Sequence, residues 1–226
     1  PGQPAELTGM ARTPDEVDRF HHERILLAQD LHPLAGIDEA GRGPLAGPVT
    51  AAAAVLPREW IANGLPAELT GLNDSKQLTE KKRERLYEAL VGLSEIDHAV
   101  ANIEPPEIDR INILQATHAA MNAALAGLKE TPRHALVDGR PVKTLTAGQT
   151  AIVKGDSLSF SIAAASILAK VSRDRLMLEF DRRYPEYGFA THKGYGTKQH
   201  LAAIERHGPC PIHRLSFAPL KPPRSR

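Results

Sequence analysis

The sequence predicts an α/β protein with one central sheet and a helical C-terminal extension from about residue 185. Three observations carry that expectation. Short apolar segments come first on their own and then alternate with helical ones, the order expected of a sheet covered by helices. The longer segments repeat their apolar residues three and four apart, at helical spacing. The chain has 226 residues, 42% hydrophobic and 24% charged, enough for one sizeable core.

The elements follow in order. Residues 1–13 are polar and proline-bearing and read as a disordered segment. Asp15 to Gln29 sets Val17, Phe20, Ile25 and Leu26 among charges, the pattern of an amphipathic helix. Leu34 to Asp38 is short and apolar, a strand. Pro48 to Leu56 (PVTAAAAVL) has the length of a buried strand, with helix competing because of its four alanines. Thr79 to Leu93 opens on a capping threonine and puts Leu86, Leu90 and Leu93 on one face, so it reads as helix. Ile96 to Ile103 alternates as a strand. Pro105-Pro106 opens a long helix with the stripe Ile108, Ile111, Leu114, Met121, Leu125 and Leu128. Arg133 to Asp138 and Thr150 to Lys154 are further strands. Leu158 to Arg182 reads as helix throughout, and Thr197 to His207 as a last helix stopped by Gly208-Pro209. The resulting division is an α/β domain over 14–184, a helical extension over 185–220 and a flexible tail over 221–226.

Composition excludes several classes. No apolar run approaches the roughly 18 residues that span a bilayer, and the opening residues do not read as a signal sequence. A single cysteine, Cys210, rules out an intrachain disulfide or a multi-cysteine zinc site and fits a reducing cytoplasm. Net charge is only +1 but uneven: from Arg183 onward eight Lys/Arg face two Asp/Glu, leaving +6 there and −5 on the rest. A basic end on a near-neutral chain points to a polyanionic partner.

Four acids stand where apolar strands end. Asp38 and Glu39 follow LAGI, Asp138 follows HALV, and Asp156 stands two residues past TAIVK, each beside a glycine (Gly41, Gly139, Gly155). Sites in open α/β sheets form at strand ends. Carboxylates brought together repel and raise one another's pKa unless a cation intervenes. Ligands that are all oxygen select Mg²⁺ or Mn²⁺ over Zn²⁺. Paired ions of this kind serve in-line phosphoryl displacement. The competing reading is that each acid is a turn former, and Asp156 a helix cap. The adjacent pair resists it, since strand neighbours point to opposite faces.

Gly41-Arg42-Gly43 is neither a Walker A loop nor a dinucleotide fingerprint. Its backbone can be approached closely, and Arg42 can meet a phosphate; a plain tight turn is the alternative.

GIDEAGRGPLAGPV, NDSK at 73–76, LVDGR at 136–140, KGDSLSFSIAAASILAKVSRDR at 154–175 and YGFATHKGYGT at 187–197 together resemble bacterial ribonuclease HII, over about residue 20 to Leu220. The resemblance implies a ribonuclease H-like fold, a central mixed β-sheet flanked by helices with a small helical C-terminal extension. It implies cleavage of the RNA strand of RNA–DNA hybrids and incision of duplex DNA on the 5′ side of embedded ribonucleotides, leaving 3′-hydroxyl and 5′-phosphate ends. The acids Asp38, Glu39, Asp138 and Asp156 match the family's catalytic and metal-binding quartet, with two Mg²⁺ or Mn²⁺ ions. Gly41, Arg42 and Gly43 match the motif that senses the 2′-hydroxyl, Tyr195 the tyrosine beneath the junction sugar, and Lys76 a lysine near the scissile phosphate. Leu158 stands where many relatives carry lysine. A monomer in the cytoplasm is expected, with no membrane partner.

Four of the ten Phe/Trp/Tyr lie between Tyr184 and Tyr195, interleaved with His192 and Lys193, which fits stacking and phosphate contacts in a substrate clamp. Tyr184, Tyr187 and Phe189 are expected in the core and Tyr195 outside it. Ser161 and Ser166 are expected to bond helix carbonyls, His21, His22 and His213 to lie on the surface, and Cys210 to have no catalytic role. Two rivals remain at this level: a catalytically silent nucleic-acid-binding module, and a metal-dependent phosphatase.

Overall fold

The computed structural model describes residues 18–221. The expected terminal segment 1–13, the start of the first helix and residues 222–226 lie outside that range. The fold is built on a five-stranded sheet of β1 (Leu34–Ala40), β2 (Val49–Val55), β3 (Asp97–Ile103), β4 (His134–Asp138) and β5 (Gly148–Ile152), in the order β3-β2-β1-β4-β5. The β1–β2 and β2–β3 pairs are antiparallel, and β1–β4 and β4–β5 are parallel, so the sheet is mixed. The helices are α1 (His21–Ala28), α2 (Arg58–Asn63), α3 (Glu80–Gly92), α4 (Pro105–Ile111), α5 (Ile113–Ala126), α6 (Gly155–Leu158), α7 (Phe160–Arg183), α8 (Phe189–His192) and α9 (Lys198–His207).

The two-residue period of the strands sorts their side chains onto two cores. Leu34, Ala52, Ala54 and Leu136 pack with α7 and α3 on one face. Ala35, Ile37, Ala51, Ala53, Ala135 and Val137 pack with α5 on the other. Burial on both faces explains why β2 reads as an unbroken apolar run, and its pairing on both edges settles strand over helix. Small residues let α7 approach at backbone distance. A Cβ added at Gly36 would lie 2.0 Å from the Ser161 carbonyl carbon.

Two expected helices are each broken. The helix from Pro105 stops at Ile111, because Asn112 takes φ 71° and caps α5, accepting bonds from Leu114 N at 3.0 Å and Gln115 N at 3.1 Å. That offset turns Leu114, an expected stripe residue, out to 47% exposure. The stretch from Leu158 divides at Ser159, whose hydroxyl accepts from Ile162 N to start α7 and donates to buried Glu23 at 2.6 Å. Leu158 is thus the last residue of α6, half-buried against the core.

The C-terminal segment is sewn to the β1–β2 loop. Leu45 N donates to Gly194 O at 2.8 Å, Gly47 N to Ile212 O at 2.9 Å and Arg214 N to Leu45 O at 2.8 Å. A small core of Ala46, Met177, Tyr187, Phe189 and Ile212 fills the joint, with Tyr184 half-buried beside it. His213, expected on the surface, is buried here, its Nε2 3.0 Å from that of His200. Among the described residues no helix is long and apolar enough to cross a membrane.

Candidate active site

Strand alternation decides where each acid points. Counting from Ile37, which faces α5, Asp38 faces α7 and Glu39 faces α5. Counting from Val137, Asp138 shares the α7 face with Asp38, and the parallel β1–β4 pairing brings the two strand ends together. Asp156 enters from α6, directly after β5. Carboxylate oxygens of Asp38, Asp138 and Asp156 all lie within 4.8 Å of one another. Glu39 stands outside that group, its Oε1 3.2 Å from Arg42 Nη1. The structure therefore gathers three of the four expected acids and holds the fourth next door.

Each acid is braced. Asp38 is 3% exposed, accepts from Glu39 N at 2.7 Å and takes the Ser166 hydroxyl of α7. Ser166 in turn lies 2.9 Å from Ser75 Oγ, in the NDSK stretch. Asp138 accepts from Gly155 N at 2.7 Å, so the N-terminus of α6 is tied to β4. A Cβ at Gly155 would sit 2.5 Å from Ile162 Cδ1, which accounts for the glycine there. Asp156 is buried, is raised in pKa by that burial and by the neighbouring Asp138 and Asp74 carboxylates, and lies 3.8 Å from Lys76 Nζ. The Asp156 carbonyl accepts from Arg19 Nη2 at 2.7 Å.

The electrostatics fit a divalent cation. Burial, then Glu39 and Asp138, push the Asp38 carboxyl well above the usual carboxylate range. Burial, then Asp138 and Asp74, push Asp156 up to about 6. Burial also raises Glu39, against the pull of Arg42. Burial draws Lys76 down, but Asp38 and Asp156 outweigh it and leave the ammonium raised. Acids that resist ionising together, with oxygen donors only, match a hard divalent ion that would relieve the repulsion.

The glycine loop lies beside this cluster. Gly41 has φ 89° and its missing Cβ leaves room for Arg173, which would otherwise sit 2.0 Å away. Arg214 donates to Gly41 O at 2.6 Å, Arg42 O at 3.0 Å and Gly47 O at 2.9 Å. Arg173 donates to Ala46 O, Pro48 O and Lys193 O at 3.0–3.1 Å. Two buried guanidiniums thus hold the loop from behind, and only Arg42 and Gly43 face solvent. A Cβ at Gly43 would touch Tyr195 Cε1 at 3.6 Å, so the loop and the tyrosine meet. Tyr195 is 48% exposed, while its carbonyl is taken by Thr197 N at 2.8 Å and His200 Nδ1 at 2.9 Å.

Other expected site residues turn inward. His192 is 7% exposed, with Nε2 2.8 Å from Tyr187 O and Nδ1 accepting from Gly194 N at 3.2 Å. Both ring nitrogens are occupied, which leaves none for a phosphate. Lys193 Nζ bonds the Ala190 carbonyl. Among the described residues Ser161 Oγ is buried with no hydrogen-bond partner, and Ser166 bonds Asp38 and Ser75, so neither serine meets the expected helix carbonyl. Arg173 was legible in principle: it stands four residues after Ala169 and four before Met177, both buried, on a face that should be apolar. Arg214 lies in irregular chain and gave no signal.

A mixed sheet with carboxylates converging at adjacent strand ends defines a ribonuclease H-like hydrolase. Solved structures bear out the class. The ribonuclease H2 of Pyrococcus horikoshii OT3 superposes with a TM-score of 0.70 at 30% identity, over 83% of this chain and 95% of that one. The family model described as Ribonuclease HII matches residues 35–220. Ribonuclease HII of Desulfitobacterium hafniense (strain DSM 10664 / DCB-2) is 57% identical over 83% of this chain and 69% of its own. That of Endomicrobium trichonymphae is 52% identical over 89% and 92%. The chain belongs to the ribonuclease HII family, and is a type 2 ribonuclease H, a hydrolase of a metal-dependent family that acts on RNA–DNA hybrids.

Proposed function

We propose that this enzyme both cleaves the RNA strand of hybrids and incises duplex DNA on the 5′ side of an embedded ribonucleotide, by hydrolysis that leaves 3′-hydroxyl and 5′-phosphate ends. The observation that carries the reading is one juxtaposition. The three-carboxylate cluster, the outward Arg42–Gly43 backbone and the exposed Tyr195 ring stand side by side on one surface. Chemistry at a phosphate and recognition of the adjoining sugar can then act on one nucleotide.

Asp38, Asp138 and Asp156 would hold the divalent ions, with Glu39 completing the set from the α5 side. Two Mg²⁺ or Mn²⁺ ions there would supply an activated water and neutralise charge on the leaving oxygen. Asp74, Ser75 and Ser166 fix the carboxylates that face α7. The exposed Lys76 side chain, 3.8 Å from Asp156, would meet the scissile phosphate. The glycine loop reads the 2′-hydroxyl, the group that separates RNA from DNA, and Tyr195 offers a stacking face to the next sugar. Removal of misincorporated ribonucleotides and RNA primers is the corresponding role, for a monomer in the cytoplasm.

One gel tests this. A labelled DNA duplex with a single ribonucleotide is incubated with Mg²⁺, Mn²⁺ or EDTA and the cut is mapped. A cut 5′ to the ribonucleotide, absent in EDTA, is expected. Binding without cleavage under every metal would instead identify a silent binding module. Turnover of small phosphate esters but not the duplex would identify a phosphatase.

A further inference from the structure

A cavity of about 660 Å³ opens between α5 and the loop joining β4 to β5. Its volume is within the roughly 300–1,000 Å³ range of ligand-binding clefts. Leu114, Gln115 and His118 of α5 form one wall and Arg140, Lys143 and Thr144 the other. Glu39 and Asp138 also line it, so the cavity runs into the carboxylate site.

We propose that this cavity is a phosphate-binding subsite that seats the backbone of the duplex beside the cleaved position, with Arg140 and Lys143 as its phosphate-binding cations. The inference rests on the nuclease reading above and extends it to residues that reading does not use. Arg140 and Lys143 are both exposed, and neither makes an ion pair or side-chain hydrogen bond among the described residues. Arg42, on the third side, keeps half of its side chain in solvent while it touches Glu39. Three cations therefore face two acids, and those acids are the ones that metal would neutralise. An isolated cation on a loop is ordinarily just solvated. These two differ because they border a cavity that is continuous with the reacting centre.

One further feature of the molecule strengthens the assignment. Leu114, turned outward by the break at Asn112, places an apolar side chain at 47% exposure on the α5 wall. A wall with both cations and an apolar surface matches a sugar–phosphate backbone, whose sugars present C–H faces between the anionic groups.

The test is steady-state cleavage of an RNA–DNA hybrid by Arg140→Ala/Lys143→Ala across a KCl series. Removing one cation that pairs with a phosphate should flatten the salt dependence of log(kcat/KM) by up to about 0.9, so the double variant should reduce the slope by about 1–2. KM should rise roughly tenfold near 150 mM salt with kcat within about twofold. Arg58→Ala/Lys129→Ala, which removes two exposed cations at the opposite end of the sheet, should leave the slope unchanged. An unaltered KM and slope in Arg140→Ala/Lys143→Ala would overturn the subsite. So would a fall in kcat at constant KM, which would place these residues at the reacting phosphate. Failure of the unsubstituted enzyme to cut the hybrid would strike the nuclease reading itself, a separate outcome.

Discussion

Replacing Asp156 by Asn should stabilise the metal-free protein at neutral pH while crippling its metal response. Asp156 is buried beside Asp138 and Asp74, and its carboxyl is raised from 3.8 to about 6. A raised carboxylate means the folded state binds its proton more tightly than the unfolded chain does. Folding is therefore penalised above the folded pKa, and the penalty disappears below the unfolded one. The shift corresponds to about 3 kcal/mol, and solvent screening through the open side, where Lys76 stands, leaves about 1–2 kcal/mol. Asn keeps the shape without the charge that Asp138 and Asp74 oppose, so the variant should gain about that amount at pH 8 and nothing at pH 3.5. In a domain of this size the gain amounts to about 2–8 °C in Tm. Denaturant unfolding in EDTA at the two pH values reads it directly. Added Mg²⁺ should then stabilise the native sequence and not the variant, since only ligands of the folded state shift the equilibrium. A variant less stable than the native protein at pH 8 in EDTA would refute the claim that these carboxylates repel.

Four further outcomes follow from the same geometry. Asp38→Asn should nearly abolish cleavage with Mg²⁺ or Mn²⁺ and leave the far-UV circular dichroism intact; equal rates across metal titrations would remove Asp38 from the site. Protons compete with metal at carboxylates whose pKa is raised, so the metal concentration for half-maximal activity should fall as pH climbs through about 6; a flat dependence between pH 5 and 8 would count against it. Gly36→Ala would drive a Cβ to 2.0 Å from the α7 backbone and should cost at least about 3 kcal/mol, seen as a lowered denaturation midpoint; native-like unfolding would show that α7 can retreat. Tyr195→Ala should leave stability within about 0.5 kcal/mol, as expected for an exposed ring, while eroding the preference for a ribonucleotide-to-deoxyribonucleotide junction; an unchanged junction preference would make the tyrosine only a surface residue.

The strands and most helices were legible because their signals are local. Thr79 announces α3 and Gly208-Pro209 stops α9, each from a few neighbouring residues, whereas PVTAAAAVL left strand and helix open until its pairing with β1 and β3 decided it. The two breaks were hidden for the same reason. Asn112 and Ser159 each fit inside a helical pattern, and only their cap hydrogen bonds, and for Ser159 the distant Glu23, end one helix and start another.

The site divides along the same line. Four acids at strand ends, with glycines beside them, were visible in the chain, as was the strand alternation that separates Glu39 from Asp38. Which acids converge depended on the pairing of β1 with β4 and of β4 with β5, the first of them between segments about a hundred residues apart in sequence. Burial likewise was decided in three dimensions. A histidine or arginine outside a long helix carries no mark of whether its polar atoms will find carbonyls, so His192 and Arg214 went inside where their composition suggested a surface. Sequence alone therefore determined the family, the sheet and the candidate ligands, because periodicity and motif spacing are properties of the chain. Tertiary structure decided which side chains reach substrate, because that turns on which distant backbone groups they satisfy first.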